Sequence, residues 1–124
     1  MNIIISNRSD IPIYQQLVNA VKGEIVRGAL KEGEGLPSIR MLSKELSISV
    51  ITTKKAYEIL EESGYIKTVP GKGSFVSARS RELAEEYRVS QLEQYLLSAI
   101  DLANEMGLTQ EAFHQTVDRL YDEA

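Results

Sequence analysis

Two short helical segments separated by only three residues constrain the fold of this chain more than any other feature. Ser38 is placed to cap the first segment and Ser49 the second, because a serine hydroxyl accepts hydrogen bonds from the free N–H groups of a first helical turn. The second segment ends at Ser63-Gly64. Residues predicted to face inward recur at helical spacing: Leu42, Leu46, Ala56, Tyr57 and Leu60. This spacing predicts a helix-turn-helix arrangement.

A longer amphipathic helix precedes this pair. Between Pro12 and Gly28, apolar residues recur every four positions: Ile13, Leu17, Val21 and Ile25. Asp10 lies near the predicted N-cap, and Pro12 suits a first turn because the N–H that it lacks would be unpaired there. Gly28 is placed to end the helix. The glycine-rich segment LKEGEGLP is then predicted to be a polar connection to the helix pair.

Residues 65 to 77, YIKTVPGKGSFVS, predict two short strands joined by a glycine-rich turn. A nucleotide-binding loop would need a glycine at position 66, which is Ile66, and a helix directly after Ser74. Phe75-Val76 favours a strand instead. Lys72, with the backbone N–H groups of Gly71 and Gly73, is therefore predicted to meet a nucleic-acid phosphate or to reach into the minor groove. Three helices followed by this hairpin predict a winged helix-turn-helix, with the hairpin as the wing.

From Arg79 onward the apolar period is helical again. The predicted stripe comprises Leu83, Tyr87, Leu92, Leu96, Ala99, Ala103 and Met106. Gly107 interrupts it, and Thr109 caps a last helix. Two helices this short cannot bury both apolar faces by themselves, so they are predicted to pair with a second copy. The predicted interface comprises Leu83, Tyr87, Leu92, Tyr95, Leu96, Ala99, Ala103, Phe113, Val117 and Leu120. The aromatic residues Tyr87, Tyr95, Phe113 and Tyr121 are open to a second role, as the lining of a small-molecule pocket.

Charge divides the chain in the same way. Residues 1–78 carry ten Lys and Arg against eight Asp and Glu, whereas residues 79–124 carry four against ten. The overall net charge of −4 thus conceals a mildly basic first part suited to DNA and an acidic second part. We therefore predict a mainly α fold with two domains: a DNA-binding winged helix-turn-helix at 1–78 and an α-helical dimerisation region at 79–124.

Several function classes are not expected. The chain has no cysteine and a single histidine, His114, so no metal site, cofactor or catalytic set is predicted. No signal pattern or long apolar run directs it to a membrane, and a cytoplasmic location is expected.

The segment from Ile11 to Val76 resembles the DNA-binding domain of the GntR family of bacterial transcription regulators. The resemblance depends on Pro12-Ile13-Tyr14, Leu36-Pro37-Ser38-Ile39-Arg40, Lys55-Ala56-Tyr57, Leu60, Gly64-Tyr65-Ile66 and Gly71-Lys72-Gly73-Ser74-Phe75-Val76. The two-helix tail is similar to the YtrA-type branch, whose members dimerise through these helices. The resemblance implies a homodimeric regulator, more naturally a repressor, that binds double-stranded DNA at an inverted repeat.

The resemblance also implies a set of DNA-binding residues. Arg40 matches an arginine that reaches the phosphates and the groove edge, and Lys72 matches the wing tip. The third helix departs from the family's usual Ser-Arg-Asn-Thr, because Val50 and Ile51 replace the base-reading arginine and its neighbour. Either could pack on a thymine methyl group. The full predicted set is Arg40, Ser49, Val50, Ile51, Thr52, Lys54, Lys55, Gly71, Lys72 and Gly73.

Two questions stay open at the level of sequence. A winged-helix module can also serve protein association, in which case Val50 and Ile51 would bind a protein partner. Salt-sensitive affinity for random DNA would distinguish DNA binding from protein association, because only a DNA-binding module should show it. The sequence does not decide whether a small-molecule effector exists.

Overall fold

The computed structural model describes the whole chain, Met1–Ala124, as five helices and one two-stranded antiparallel sheet. In chain order the elements are α1 (Ile13–Val26), α2 (Ile39–Leu46), α3 (Val50–Glu62), β1 (Ile66–Val69), β2 (Gly73–Val76), α4 (Ser80–Glu105) and α5 (Gln110–Glu123). The predicted mainly α fold with a hairpin wing is confirmed. The chain divides into two compact units, Met1–Glu86 and Tyr87–Ala124.

The core of the first unit brings the helices and the hairpin together around α1 and α3. Its buried residues include Leu17, Val18, Val21, Ala56, Leu60, Ile66 and Val76. Because α1 and α3 present these residues at helical spacing, one face of each packs inward and the opposite face of α3 stays exposed. This packing places the exposed face of α3 on the surface of a rigid unit.

The start of α1 is organised differently from the sequence prediction. Pro12 occupies the N-cap position, and no side chain caps the helix, so Asp10 has no capping role. The carboxamide of Gln16 instead reaches back to the preceding segment. It accepts a hydrogen bond from the Ser6 N–H and donates to the carbonyls of Ser6 and Ile11, each at 2.8 Å. One side chain thereby holds residues 6–11 against the first turn of α1.

The connection between α1 and α2 does more than link two helices. Gly35 pairs with Phe75 of β2, and the N–H of Leu36 donates to the carbonyl of Ser74 at 2.9 Å. The N–H of Val76 donates in turn to the carbonyl of Glu34, also at 2.9 Å. The segment predicted as a polar loop therefore pairs briefly with β2, and this pairing ties the wing to the residues just before α2.

The first unit extends beyond residue 78 into the first turns of α4. Ala84 is only 5% exposed within the core, and Leu83 packs against the same core. The hydroxyl of Tyr65 donates to the carbonyl of Leu83 at 3.3 Å. These contacts carry the compact unit to Glu86, and the domain boundary at residue 78 stays a prediction.

The second unit is a helical hairpin formed by the remainder of α4 and by α5. Gly107 lies between the helices with φ of 71°, a left-handed conformation that glycine adopts without strain. Thr109 caps α5 as predicted, since its hydroxyl accepts a hydrogen bond from the N–H of Ala112 at 3.1 Å. None of the helices combines the length and the apolar character needed to cross a bilayer.

Candidate nucleic-acid interface

The first turn of α3 is fixed by a hydroxyl pair. The N–H of Thr52 donates to Ser49 Oγ at 3.0 Å, and the Ser49 hydroxyl donates to Thr52 Oγ1 at 2.7 Å. The Ser49 hydroxyl thus pairs one free N–H group of the first helical turn, as serines at N-caps ordinarily do, and it also bonds to the Thr52 hydroxyl. Their predicted contacts with DNA stay predictions, and the structure gives them the task of holding the start of α3 in place.

The exposed end of α3 is unusually apolar. Ile51 is 81% exposed and Val50 48% exposed, although both are large aliphatic side chains. Lys54 lies one turn after Val50 and is exposed as well. A recognition helix contacts base edges with its N-terminal residues, so these three side chains are available where such contacts are made.

A buried hydrogen bond fixes α2 relative to α3. The hydroxyl oxygens of Ser43 and Thr53 lie 2.7 Å apart, and Thr53 is fully buried. The Tyr57 hydroxyl donates to the carbonyl of Pro37 at 2.7 Å, just before α2. Burial, and secondarily the negative charge of Glu45, raise the pKa of Tyr57 to about 12, so this phenol stays a hydrogen-bond donor at neutral pH.

Arg40 lies in the first turn of α2 and is exposed. Ser38 caps that helix as predicted, because its hydroxyl accepts a hydrogen bond from the N–H of Met41 at 3.1 Å. The guanidinium is therefore carried by a short helix whose start is capped and whose position is fixed by α3. The backbone that carries the guanidinium is thus fixed within the first unit, which suits a phosphate contact, because arginine and lysine supply many of these contacts.

The wing presents Lys72 at its tip. β1 and β2 pair from Ile66 with Val76 to Val69 with Gly73, and the N–H of Lys72 donates to the carbonyl of Val69 at 2.9 Å to close the turn. Gly71 and Gly73 both have positive φ, 75° and 116°, which L-residues with a side chain rarely adopt. The two glycines thus form the turn that exposes Lys72.

One further hydrogen bond couples the wing to α3. Glu61, near the end of α3, accepts from the Thr68 hydroxyl of β1 at 3.0 Å. Thr68 also lies opposite Ser74 in the hairpin, with 3.3 Å between the hydroxyl oxygens. Together with the pairing of Gly35 with β2, this bond connects the wing to both helices of the helix-turn-helix. Sequence reasoning missed both links, because neither involves neighbours in the chain.

Lys55 is held against α1. Its Nζ lies 3.8 Å from the centre of the Tyr14 ring, although the side chain is exposed. The predicted DNA-binding residues therefore fall into three places: the start of α3 with Arg40 on α2, the wing tip, and Lys55 at the boundary of α3 and α1.

The second unit exposes an apolar face of α4. Its most exposed members include Leu92, Tyr95, Leu102 and Met106, and Tyr95 is 75% exposed, whereas the exposed Leu97 lies on another side of the helix. Tyr95 and Leu102 lie seven residues apart, close to two helical turns, so they share one side of the helix. Polar residues line a neighbouring side of the helix, among them Gln94, Asp101 and Glu105.

The predicted interface residues are distributed unevenly. Leu83 packs against the core of the first unit, and Ala103 is only 7% exposed within its own chain, so both offer little surface to a partner. Leu92, Tyr95, Leu96 and Leu120 are exposed as an interface requires. Sequence reasoning missed Leu97, Ile100 and Leu102, which are exposed on α4 outside the predicted stripe.

Two shallow cavities lie where α5 packs on α4. One of about 250 Å³ is lined by Ile100, Ala103, Asn104, Leu108, Gln110, Phe113 and His114. The other, of about 430 Å³, shares Ile100, Phe113 and His114 with it. Of the four aromatic residues predicted as dimer core or pocket lining, Phe113 alone lines these cavities.

Comparison with known proteins follows the same division. Residues 13–76 match the profile of the bacterial regulatory proteins of the gntR family. The chain is 30% identical over 118 residues to the HTH-type transcriptional repressor YtrA of Bacillus subtilis. The matched segment covers 95% of this chain and 91% of that protein.

Solved structures give the same picture. A transcriptional regulator from Oenococcus oeni superposes with a TM-score of 0.84 and 27% identity, over 94% of this chain and 97% of its own. The DNA-binding domain of AraR, solved in complex with operator ORX1, shares the fold with a TM-score of 0.55 and 22% identity, over 62% of this chain and 96% of its own.

Proposed function

The chain belongs to the gntR family of bacterial regulatory proteins and is a DNA-binding transcription regulator; from this premise we propose that it acts as a homodimeric repressor at an inverted-repeat operator. Each protomer inserts the start of α3 into the major groove of one half-site. Arg40 and Lys72 contact phosphates on either strand, and Val50 or Ile51 packs on a thymine methyl group.

The observation that carries this proposal is the exposure of two large aliphatic side chains at the start of a rigidly held α3. Val50 and Ile51 are adjacent at the end of the helix where recognition helices contact base edges, and a thymine methyl group would cover apolar surface of either. Arg40 and Lys72 lie on elements tied to α3 by hydrogen bonds, and they supply positive charge on the same compact unit. A duplex offers both thymine methyl groups and phosphates, which matches this combination.

The homodimer is supported by the apolar face of α4. A second copy of the same chain would cover that face by placing an identical face on it about a two-fold axis. The two α3 helices would then be related by the same axis, which requires half-sites in inverted orientation. Repression follows from occupancy alone, since a dimer that covers an operator needs no additional surface to block transcription. We place the protein in the bacterial cytoplasm, where the chromosome is accessible, and assign it no effector.

The test of this function begins with footprinting of the DNA upstream of its own gene. A protected inverted repeat, bound by two chains per duplex in sedimentation, is the expected result. Binding to random-sequence DNA should be weaker and should fall as salt is raised, because that binding depends on counterion release. A protein with no salt-sensitive DNA affinity would instead be a winged-helix module for protein association.

The phosphate contacts can be counted through salt dependence. Replacing Arg40 or Lys72 by Ala is expected to reduce the slope of log affinity against log salt by about one unit for each lost contact. The loss should be similar on operator and random DNA, because phosphates carry no sequence information. Fluorescence anisotropy across a salt series provides the measurement. Arg119→Ala is the control, since it removes a positive charge from the second unit and should leave the slope unchanged.

The aliphatic base contact can be tested by removing one methyl group from the DNA. Replacing the contacted thymine by uracil is expected to weaken wild-type binding about fourfold, the value of one buried methyl group. The same replacement should have no effect on the protein in which the contacting residue, Val50 or Ile51, is replaced by Ala. If the uracil operator weakens the wild type and both variants equally, neither residue reads the methyl group.

A further inference from the structure

The contact between Lys55 and Tyr14 joins the recognition helix to the start of α1. At 3.8 Å from the ring centre, the ammonium lies well within the distance of about 6 Å at which a cation interacts with an aromatic face. Lys55 is exposed and Tyr14 half-buried, so the pair lies at the surface of the first unit. Its components come from two different helices.

Both residues are anchored by the core immediately beside them. Lys55 precedes Ala56, which is fully buried, and Tyr14 lies one turn before Leu17 and Val18, which are also fully buried. The backbone at each end of the contact is therefore fixed by α1–α3 packing. Since the ring then restricts the flexible lysine stem, the ammonium occupies a defined place.

That place lies near the DNA-reading end of α3. Lys55 follows Ile51 by four residues, one helical turn, and α3 begins at Val50. The ring covers one side of the ammonium and leaves its other N–H groups available to an anion. A cation that is already ordered loses less conformational entropy on binding a phosphate than a freely rotating one.

A second lysine also lies against an aromatic ring, and in this case the ring is buried. Lys22 Nζ lies 5.1 Å from the centre of the Tyr65 ring, and Tyr65 is buried. Burial lowers the pKa of Lys22, as expected for an ammonium partly removed from water. The Lys22 contact belongs to the packing of α1, whereas the Lys55 contact lies on an exposed surface beside the start of α3.

We propose that Tyr14 is a positioning residue that holds the Lys55 ammonium in place to neutralise one DNA phosphate beside α3. This inference rests on the proposed binding of α3 to DNA and adds α1 to the binding machinery. Lys55 makes the contact with the phosphate, and Tyr14 acts through Lys55. The ring of Tyr14, rather than its hydroxyl, performs the positioning.

The test uses the full chain, random-sequence duplex DNA and a salt series. Lys55→Gln is expected to reduce the salt slope by about 0.9. Tyr14→Leu should weaken binding about two- to fivefold, the range for an exposed cation–aromatic contact, whereas Tyr14→Phe should bind like the wild type because it keeps the ring. In the Lys55→Gln protein, Tyr14→Leu should have no further effect. Arg119→Gln serves as the control for loss of one positive charge.

Three results would overturn the inference. An unchanged salt slope in Lys55→Gln would show that Lys55 touches no phosphate, even with DNA binding intact. An equal loss from Tyr14→Leu with and without Lys55 would give Tyr14 a purely structural role, which thermal unfolding of the same variants would also report. A loss in Tyr14→Phe as large as in Tyr14→Leu would assign the effect to the hydroxyl. Absence of any DNA binding by the wild type would instead reject the proposed function itself.

Discussion

Replacing Tyr95 by glutamate is expected to reduce affinity for the full inverted repeat by roughly 10²- to 10⁴-fold while leaving half-site binding unchanged. Tyr95 lies on the exposed apolar face of α4, 23 residues beyond Lys72 at the wing tip and in a different compact unit from α3. A glutamate there would place two like charges in a two-fold interface without altering the DNA-reading surface. The dimer advantage is an effect of effective concentration, so it disappears when the chains separate.

The neighbouring residue provides a matched control. Gln94→Glu adds the same charge at the next position, on the polar side of α4, and should leave both the dimer and its operator affinity intact. Sedimentation at micromolar concentration and anisotropy on full-site and half-site duplexes measure the two effects. If Tyr95→Glu remains dimeric, or becomes monomeric and still binds the full site as tightly as wild type, then the α4 face is not the element that joins two DNA-binding units.

The parts of the fold that could be predicted are those that neighbouring residues determine. Ser38, Ser49 and Thr109 each cap a helix through a hydrogen bond that spans three residues, so the local sequence contains the whole signal. The hairpin was predictable for the same reason, because its turn requires the positive φ of Gly71 and Gly73. Element type and order follow from such signals, and both are confirmed.

The parts that could not be predicted depend on contacts between different elements, which local sequence patterns do not encode. Gly35 pairs with Phe75, 40 positions later. The glycine-rich acidic segment around Gly35 has no strand pattern from which this pairing could be predicted. The bond between Glu61 and Thr68 joins two exposed polar residues, which sequence alone cannot distinguish from solvated ones. These contacts set the position of the wing. The sequence therefore predicts which residues belong to the site better than it predicts their arrangement in space.

The candidate site shows the same limit at single residues. Val50 and Ile51 are exposed, as packing on a thymine methyl group would require, and their contact with DNA stays a prediction. Ser49 and Thr52 have hydroxyls already engaged with the helix start, which their identity alone did not reveal. The place of Lys55 on the third helix predicts a DNA contact, but no local pattern links it to Tyr14, 41 residues earlier in the chain.

A chain that ends after Ala78 is expected to be less stable than one that ends after Glu86 by about 3 kcal/mol in free energy of unfolding. The shorter chain lacks the buried methyl group of Ala84, worth about 0.8 kcal/mol, and the partly buried Leu83, worth about 1–2 kcal/mol. It also loses the carbonyl that accepts the Tyr65 hydrogen bond, worth about 1 kcal/mol. The resemblance to a DNA-binding domain ends at Val76, so it does not predict that Leu83 and Ala84 belong to the first unit.

Urea unfolding of the two truncated chains measures this difference. In the longer chain, Ala84→Asp should reproduce most of the loss because it buries a charge in the core, whereas Glu85→Ala should not, since Glu85 is exposed. Equal stability of the two truncated chains would place the end of the DNA-binding domain at residue 78. A stable longer chain that binds a half-site but gains nothing from the full repeat would show that the first two turns of α4 complete the DNA-binding unit, and that pairing requires residues beyond Glu86.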